Sequence, residues 1–546
     1  MQIRKTVFLL LILTGIGSLQ AQETIPPYHW TNQYIDYLKV QGYFPELSVI
    51  NRPYDRQNIA KNLLTIDWLS LSAQGKDIQI IKILLREFSF EIKQLNDHED
   101  SKWKELIKKV INFLKSESGE NIDLFFKLGA FGDFNTRYDD QTQETASNYN
   151  FHAEGGLYWK NRLTLYNNTY IFDEAEPGYI GKDYSGYYAY TEQAYLAWQS
   201  EWLRAKIGRD YMQLGPGRTG QLLISDNSRS FDMYSASIGN HTFQFSFWGF
   251  MLDRRRITDP ELQQFSIYSN RYLNGHRLSV NLKDKYFFAV NEVAIYGGPN
   301  QGWEFGLMNP LMFYHGYNVN TPGVDTNTLY TIEWDLYFRK NLELYGEILI
   351  DDYQIDEETP EDLEPNEYGI LVGVNWSSPF GLSGGLLNAE YVQIRNRTYN
   401  APDNDWEKYI HRNEVIGYSL GNDLEHYFLS MSYWLRADMK LNLKGSLVRQ
   451  GEGTVSGEFN KDFLNYTVEE GYDESFPFGT VEDHTQLGLS LFYKPHRIGH
   501  LELDLAYNSF DNFNHIDGLT HDELSGKISF WLEWEKIWGG SRNKKR

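Results

Sequence analysis

The sequence predicts an all-β transmembrane barrel of about 18 antiparallel strands behind a small N-terminal α-helical bundle. Three observations predict it. Short segments with unlike faces recur from about Ile122 to Trp538. The connections between them alternate between short and long. Beyond the extreme N-terminus, no segment is apolar for long enough to cross a membrane as a helix. Within Ile332–Phe338, for example, Ile332, Trp334, Leu336 and Phe338 fall on one face, and Glu333 and Asp335 on the other. After Lys340-Asn341, Leu342, Leu344, Ile348 and Ile350 alternate with Glu343, Tyr345 and Glu347. A period of two is that of a strand. No helical pattern follows to cover the apolar face, so lipid is its partner, and closure leaves no unpaired edge in the lipid.

Residues 1–21 read as a signal peptide, with Arg4 and Lys5 as the positive end, Val7 to Ile16 as the apolar stretch and Leu19-Gln20-Ala21 before the cleavage point. Residues 22–120 form the expected helical region. Apolar residues there fall at helical spacing: Ile35 and Leu38; Ile59, Leu63 and Leu64; Ile78, Ile81, Leu84 and Leu85; then Trp103, Leu106, Ile107, Val110 and Leu114, with Ser101 as a cap.

Residues 121–538 form the expected barrel. Strand candidates begin at Ile122, Tyr149, Arg162, Ser185, Trp202, Met233, His241, Ile267 and Lys285. They continue at Thr328, Asn341, Glu367, Gly385, Asp423, Met439, Thr485, Gly499 and Leu524. Very short links stand at Lys160-Asn161, Gln199-Ser200, Gly239-Asn240, Lys283-Asp284, Lys340-Asn341 and Ala437-Asp438, with longer ones between them. Outer-membrane barrels have short periplasmic turns and long outer loops. An even strand number puts both barrel ends in the periplasm, and the helical region with them. In the last strand, Leu524, Ile528, Phe530, Leu532 and Trp534 oppose Ser525, Lys527, Ser529 and Glu533. A basic tail, 539–546, follows.

Composition narrows the chemistry. With no cysteine, disulfides, thiolate metal sites and cysteine nucleophiles are excluded. The formal charge of -23 argues against nucleic acid as a partner. The 39 Tyr, 32 Phe and 15 Trp suit aromatic girdles at two membrane interfaces.

The stretch Gly215-Pro216-Gly217-Arg218-Thr219-Gly220 superficially fits a dinucleotide-binding pattern. No βαβ unit surrounds it, and no Gly-Lys-Ser/Thr makes it a phosphate loop. It opens an outer loop that continues through Leu222-Leu223-Ile224 to Ser225-Asp226-Asn227. An apolar run in such a loop predicts that it folds into the barrel mouth.

Leu214-Gly215-Pro216-Gly217, followed by Leu222 to Asn227, resembles the signature stretch of the Wzi capsule-assembly family. Asn309-Pro310-Leu311-Met312-Phe313-Tyr314 with Gly316-Tyr317-Asn318 resembles a second segment, and Asn341 to Gly346 running on to Asp351-Asp352-Tyr353 a third. Tyr37-Leu38 to Gly42-Tyr43 is a weaker match, and Leu214 stands where the family pattern often has Trp. The resemblance implies an outer-membrane barrel of about this strand number with a helical bundle. It also implies a lectin-like role: binding capsular polysaccharide and holding it at the cell surface without catalysis.

Aromatic faces pack on sugar C–H surfaces, and Asp, Asn and Arg bind hydroxyls. Arg209, Asp226, Asn227, Asp232, Asn309, Tyr314 and Tyr317 are the candidate polysaccharide-binding residues. Gly215, Pro216, Gly217 and Pro310 are candidate structural residues. The acids between Asp351 and Glu367 read as a solvated loop, with calcium bridging to polysaccharide as the other reading. Arg254-Arg255-Arg256 is either a rim cluster or a contact for an anionic glycan or lipopolysaccharide. No His-Glu-x-x-His or Gly-x-Ser-x-Gly motif stands out, and Glu343 and Glu347 are expected to line the lumen. No enzyme activity, cofactor or metal is expected. The expected partners are surface polysaccharide, outer-membrane lipid and lipopolysaccharide, and an envelope partner of the helical region. A diffusion channel for small solutes or sugars is the alternative.

Overall fold

The computed structural model describes residues 23–66, 75–96, 124–139, 143–159, 163–173, 181–200, 202–257, 267–354, 358–402, 404–496 and 499–538. The expected leader, the helix expected around Trp103 to Leu114 and the basic tail lie outside these residues.

Eighteen strand positions close into one antiparallel barrel. In chain order they are β1 Leu124–Asp139, β2 Gln143–Trp159, β3 Leu163–Phe172, β4 Tyr188–Gln199, β5 Leu203–Asp210 and β6 Phe231–Gly239. Next come β7 Phe243–Met251 (continued by Arg255–Ile257), β8 Ile267–Leu282, β9 Tyr286–Pro299, β10 Asn327–Arg339, β11 Leu342–Asp352 and β12 Glu367–Ser377. The last six are β13 Gly385–Ile394, β14 Leu424–Arg436, β15 Met439–Gln450, β16 Glu482–His496, β17 Gly499–Asp511 and β18 Thr520–Trp538. Each strand pairs with its chain neighbour, and β1 closes on β18 from Leu124 opposite Trp538 to Asp139 opposite Glu523. Every sequence candidate corresponds to one of these strands. Some begin earlier than expected: β2 at Gln143 and β18 at Thr520. Their outer ends are polar on both faces, so the ladder continues where the apolar alternation has stopped.

The alternation translates directly into two environments. Ile332 and Phe338 on β10 and Leu344 on β11 face outward and are exposed, whereas Glu333, Asp335, Glu343 and Glu347 are fully buried within the barrel. On β18, Leu524, Ile528, Phe530, Leu532 and Trp534 are all exposed outward, while Ser529 is buried. Such a surface is stable only against hydrocarbon.

Among the described residues, four helices precede the barrel: α1 Asn32–Val40, α2 Arg56–Thr65, α3 Lys76–Glu87 and α4 Ser89–Asn96. Asp55 caps α2 by accepting a hydrogen bond from Asn58 N at 2.8 Å, worth about 1 kcal/mol. Ile35, Leu38, Ile59, Leu63, Ile81 and Leu84 form the bundle's core, and Trp434 and Phe492 of the barrel wall complete it. The Tyr34 and Trp434 rings lie 4.4 Å apart. Gln41 bonds Ser378 at 3.0 Å and Lys76 bonds Tyr433 at 2.6 Å. All these wall residues lie beside the short turns, so the helices plug that end. At the plug's centre, buried Arg56 meets Glu91 at 2.6 Å, Glu87 at 3.2 Å and Glu23 at 3.5 Å. Burial pushes Glu23 up to about 7 against the pull of Arg56.

Candidate functional site

The loop 211–230, between β5 and β6, descends into the lumen rather than merely covering its mouth. Asn51-Arg52 of the plug pairs antiparallel with Gln213-Leu214, and Gly215 N bonds Ile50 O at 3.2 Å. Beyond that point the loop turns its backbone amides toward buried wall carboxylates. Gly217 N and Leu222 N donate to Glu347 at 3.1 and 2.7 Å. Arg218 N and Thr219 N donate to Glu390 at 2.8 and 2.9 Å. The Arg218 guanidinium pairs with Glu343 at 2.9 Å and with Asp36 of α1 at 3.2 Å. Loop, wall and plug are thus tied at one point.

This geometry explains the glycine-rich stretch. Gly215 sits at a φ of +120°, and a Cβ there would overlap the Glu347 carboxylate. A Cβ on Gly217 would run into the carbonyl of Gly220. Leu222, Leu223 and Ile224 are completely buried against Tyr399, Tyr409 and Tyr418 of the 395–423 loop. The apolar run that looked odd for a water-exposed loop therefore belongs to a core inside the barrel.

Beside this inner loop, on the side of β1–β4, β17 and β18, lies a cleft of about 430 Å³, within the size range of small-ligand sites. Aromatic rings run along its wall. His152 stacks on Tyr170 at 4.9 Å and Tyr170 on Phe172 at 5.7 Å. His500 stacks on Trp531 at 4.2 Å, with Phe131 a further 4.8 Å from Trp531. Tyr28 of the plug closes the other side, its hydroxyl 3.1 Å from that of Tyr170. Among the charges lining the cleft, Lys127 meets Glu154 at 3.2 Å and Arg229 meets Glu192 at 3.0 Å; with Asp226 and Glu533 also on the lining, acidic side chains outnumber basic ones. Burial pushes the His29 imidazole well below its usual range, which keeps it neutral at pH 7. Asn150 Oδ1, Asn168 Oδ1 and His152 Nδ1 are buried without a protein hydrogen-bond partner. Aromatic faces interleaved with open amide and imidazole atoms suit a polyhydroxylated ligand better than a densely charged one.

The seven candidate binding residues do not converge. Asp226, which is exposed, and Asn227 lie on the cleft rim, where Asn227 Nδ2 donates to Val415 O at 3.0 Å. Arg209 and Asp232 pair with each other at 2.7 Å on the outward faces of β5 and β6. Asn309, Tyr314 and Tyr317 belong to the 300–326 loop, remote from the cleft. Asn309 is exposed and accepts from Leu311 N, Tyr314 is buried, and Tyr317 donates to Glu304 at 2.7 Å. Pro310 follows Asn309 in that turn. Arg255 contacts Asn413 at 3.3 Å. In the acidic run, Asp351 accepts from Tyr399 N at 2.6 Å, and Asp362 caps the short turn Pro360–Leu363. Among the described residues, no group of three or more His, Asp or Glu side chains is placed to hold a metal ion.

Aromatic composition alone assigns such rings to the interfacial girdles, so the cleft set does not stand out among the sequence candidates. The signal was nevertheless present. Tyr166, Tyr170 and Phe172 share the parity of Asn168, opposite Leu165 and Ile171, so they belong to the lumenal face.

A sequence search of curated proteins finds no match. Among solved structures, Wzi of Escherichia coli, described as an outer membrane protein involved in group 1 capsule assembly and a carbohydrate-binding β-barrel, superposes with a TM-score of 0.58. It is 12% identical, over 94% of this chain and 99% of its own. OccAB4 of Acinetobacter baumannii gives a TM-score of 0.44 at 10% identity, over 76% of this chain and 98% of its own. OprD of Pseudomonas aeruginosa gives 0.43 at 7% identity, over 78% and 97%. The family model described as capsule assembly protein Wzi matches residues 130–524, well over half the chain. With the closed barrel and the inner loop carrying the glycine-proline motif, this places the protein in the outer membrane, and the chain belongs to the Wzi family of capsule assembly proteins.

Proposed function

We propose that this barrel binds a capsular or other surface polysaccharide and anchors it to the cell surface without catalysis. The observation that carries the reading is the lumenal cleft, where stacked aromatic rings alternate with open amide acceptors. A long repeating glycan would rest a few of its sugars there. Many weak contacts, repeated over many barrels, would then hold the chain firmly. The excess of acidic over basic side chains on the cleft lining favours neutral or sparsely charged sugars over a densely anionic polymer. An envelope partner would meet the helical plug at the short-turn end of the barrel.

The diffusion-channel reading requires an open lumen. The inner loop and helices occupy much of that space, which supports an anchor instead.

The test is the partition of surface polysaccharide between cells and medium. Deleting the gene is expected to leave total polymer unchanged while moving it into the medium. A strain carrying Tyr170→Ala and Trp531→Ala is expected to do the same with the barrel still inserted. An unchanged partition in the deletion strain refutes the anchoring role. A large, stable conductance of the purified protein in planar bilayers refutes it in favour of a channel.

A further inference from the structure

The 300–326 loop carries an arrangement that glycan binding does not use. It folds down the outside of the barrel. On β8 and β9, even-numbered residues such as Leu278, Phe288 and Val290 face outward and are exposed. Tyr272, Ala294 and Tyr296 share that parity, yet they are buried, because Leu307 and Tyr314 of the loop pack over them. Below this apolar contact lies a polar one. Glu292, also on the outward face, takes His276 Nε2 at 3.1 Å, Tyr330 OH at 3.1 Å and the His315 amide at 3.0 Å.

Depth follows from the strand register. Glu292 is six residues up β9 from Tyr286, whose ring meets Phe338 at 5.8 Å beside the periplasmic turns. At 3.4 Å per residue and the usual strand tilt, Glu292 stands about 15 Å above that aromatic pair, inside an apolar band about 25 Å tall. A carboxylate cannot face lipid at that height without cover. The helix at Tyr314–Asn320 and the turn before it provide the cover. The loop's other side exposes Phe305 and Leu311, both at 84%, with Phe313 at 59% and Val319 at 69%. These side chains continue the apolar belt of the barrel wall.

We propose that the 300–326 loop is immersed in the outer leaflet, with Phe305, Leu311, Phe313 and Val319 against lipid acyl chains. The Glu292 cluster is the latch that holds it down. The occupant is lipid because Phe305, Leu311, Phe313 and Val319 are the large side chains on the exposed face, with Asn309 and His315 the polar ones beside them, and the wall next to it is already covered by lipid.

The chain lacks cysteine, so single thiols can be placed cleanly. Nitroxide labels on Phe305→Cys and Leu311→Cys, in proteoliposomes, are compared with a wall label at Leu505→Cys and a loop label at Glu469→Cys. The expected result is high accessibility to oxygen and low accessibility to a water-soluble nickel chelate, matching Leu505→Cys. Accessibility matching Glu469→Cys overturns the proposal, because the loop then lies in water. Low accessibility to both reagents also overturns it, because protein, such as a second copy, then covers the face. Glu292→Ala in the Leu311→Cys background is expected to move the label toward the aqueous pattern. Retention of the lipid pattern in that variant overturns the latch.

Discussion

Replacing Glu347 with leucine tests how the inner loop is held. The carboxylate is fully buried and accepts two backbone amides, Gly217 N at 3.1 Å and Leu222 N at 2.7 Å. Leucine keeps much of the volume and removes both acceptors. Each buried amide left unpaired costs about 1–3 kcal/mol, so the loop's seat weakens by about 2–6 kcal/mol. Removing a buried carboxylate relieves part of this, which makes about 2 kcal/mol the expected figure. At 1.36 kcal/mol per decade, local opening becomes about 30-fold more frequent. Hydrogen exchange read by mass spectrometry on peptides spanning 214–224 measures it directly. Glu347→Gln keeps an acceptor oxygen for one amide and is expected to show about half the free-energy effect. Peptides from β17 serve as the control and should not change. If Glu347→Leu exchanges like the wild type across 214–224, the carboxylate does not hold the loop, and the account of its glycines fails with it.

Arg218→Met leaves Glu343 buried without its cation; breaking a buried pair from one side costs about 3–5 kcal/mol, and faster exchange is expected in both the inner loop and α1, since Arg218 also holds Asp36. Burial raises Glu87, but Arg56 outweighs it and holds the group at about 2, so its stabilising contribution is present above pH 4.5 and lost as pH falls toward 2. Glu23, raised to about 7, contributes fully below its ordinary value and loses that contribution as pH rises through 7. Thermal melts followed by helical circular dichroism should therefore show the plug weakening from pH 5 to 8, and Glu23→Gln should flatten that limb. Tyr170→Ala and Trp531→Ala should each weaken binding of purified capsular polysaccharide at least tenfold, about 1.4 kcal/mol, with an unaltered heat-modifiable mobility reporting an intact barrel.

The fold was legible because the bilayer reduces it to one rule. Ile332, Trp334, Leu336 and Phe338 had to face lipid, and Glu333 and Asp335 had to face inward, whatever the rest of the chain did. Long polar strand ends such as Gln143–Asn148 were not legible, since above the membrane neither face is selected for apolarity. The site was harder to read for a related reason. The parity that marks Tyr170 as lumenal is local, but its juxtaposition with Trp531 and Tyr28 depends on barrel closure and on the plug, which no local pattern encodes. Tyr314 and Tyr317 had the chemistry of a sugar platform in sequence. In the fold, one is buried against the outer wall and the other is engaged by Glu304. Asp226 and Asn227 read in sequence as part of an outer loop, and they reach the cleft because that loop turns inward.

The seating of the glycine-rich loop on Glu343, Glu347 and Glu390 has a consequence for transplantation. Loop and strands β11 and β13 form a single cassette. A chimera that receives the loop of a distant relative without the matching strand acids would strand its amides in a dry interior. One that receives only the strands would bury carboxylates with nothing to answer them. Transplanting the loop between relatives would therefore require moving the three acids with it, and the move would carry along the loop's own share of the cleft, Asp226, Asn227 and Arg229.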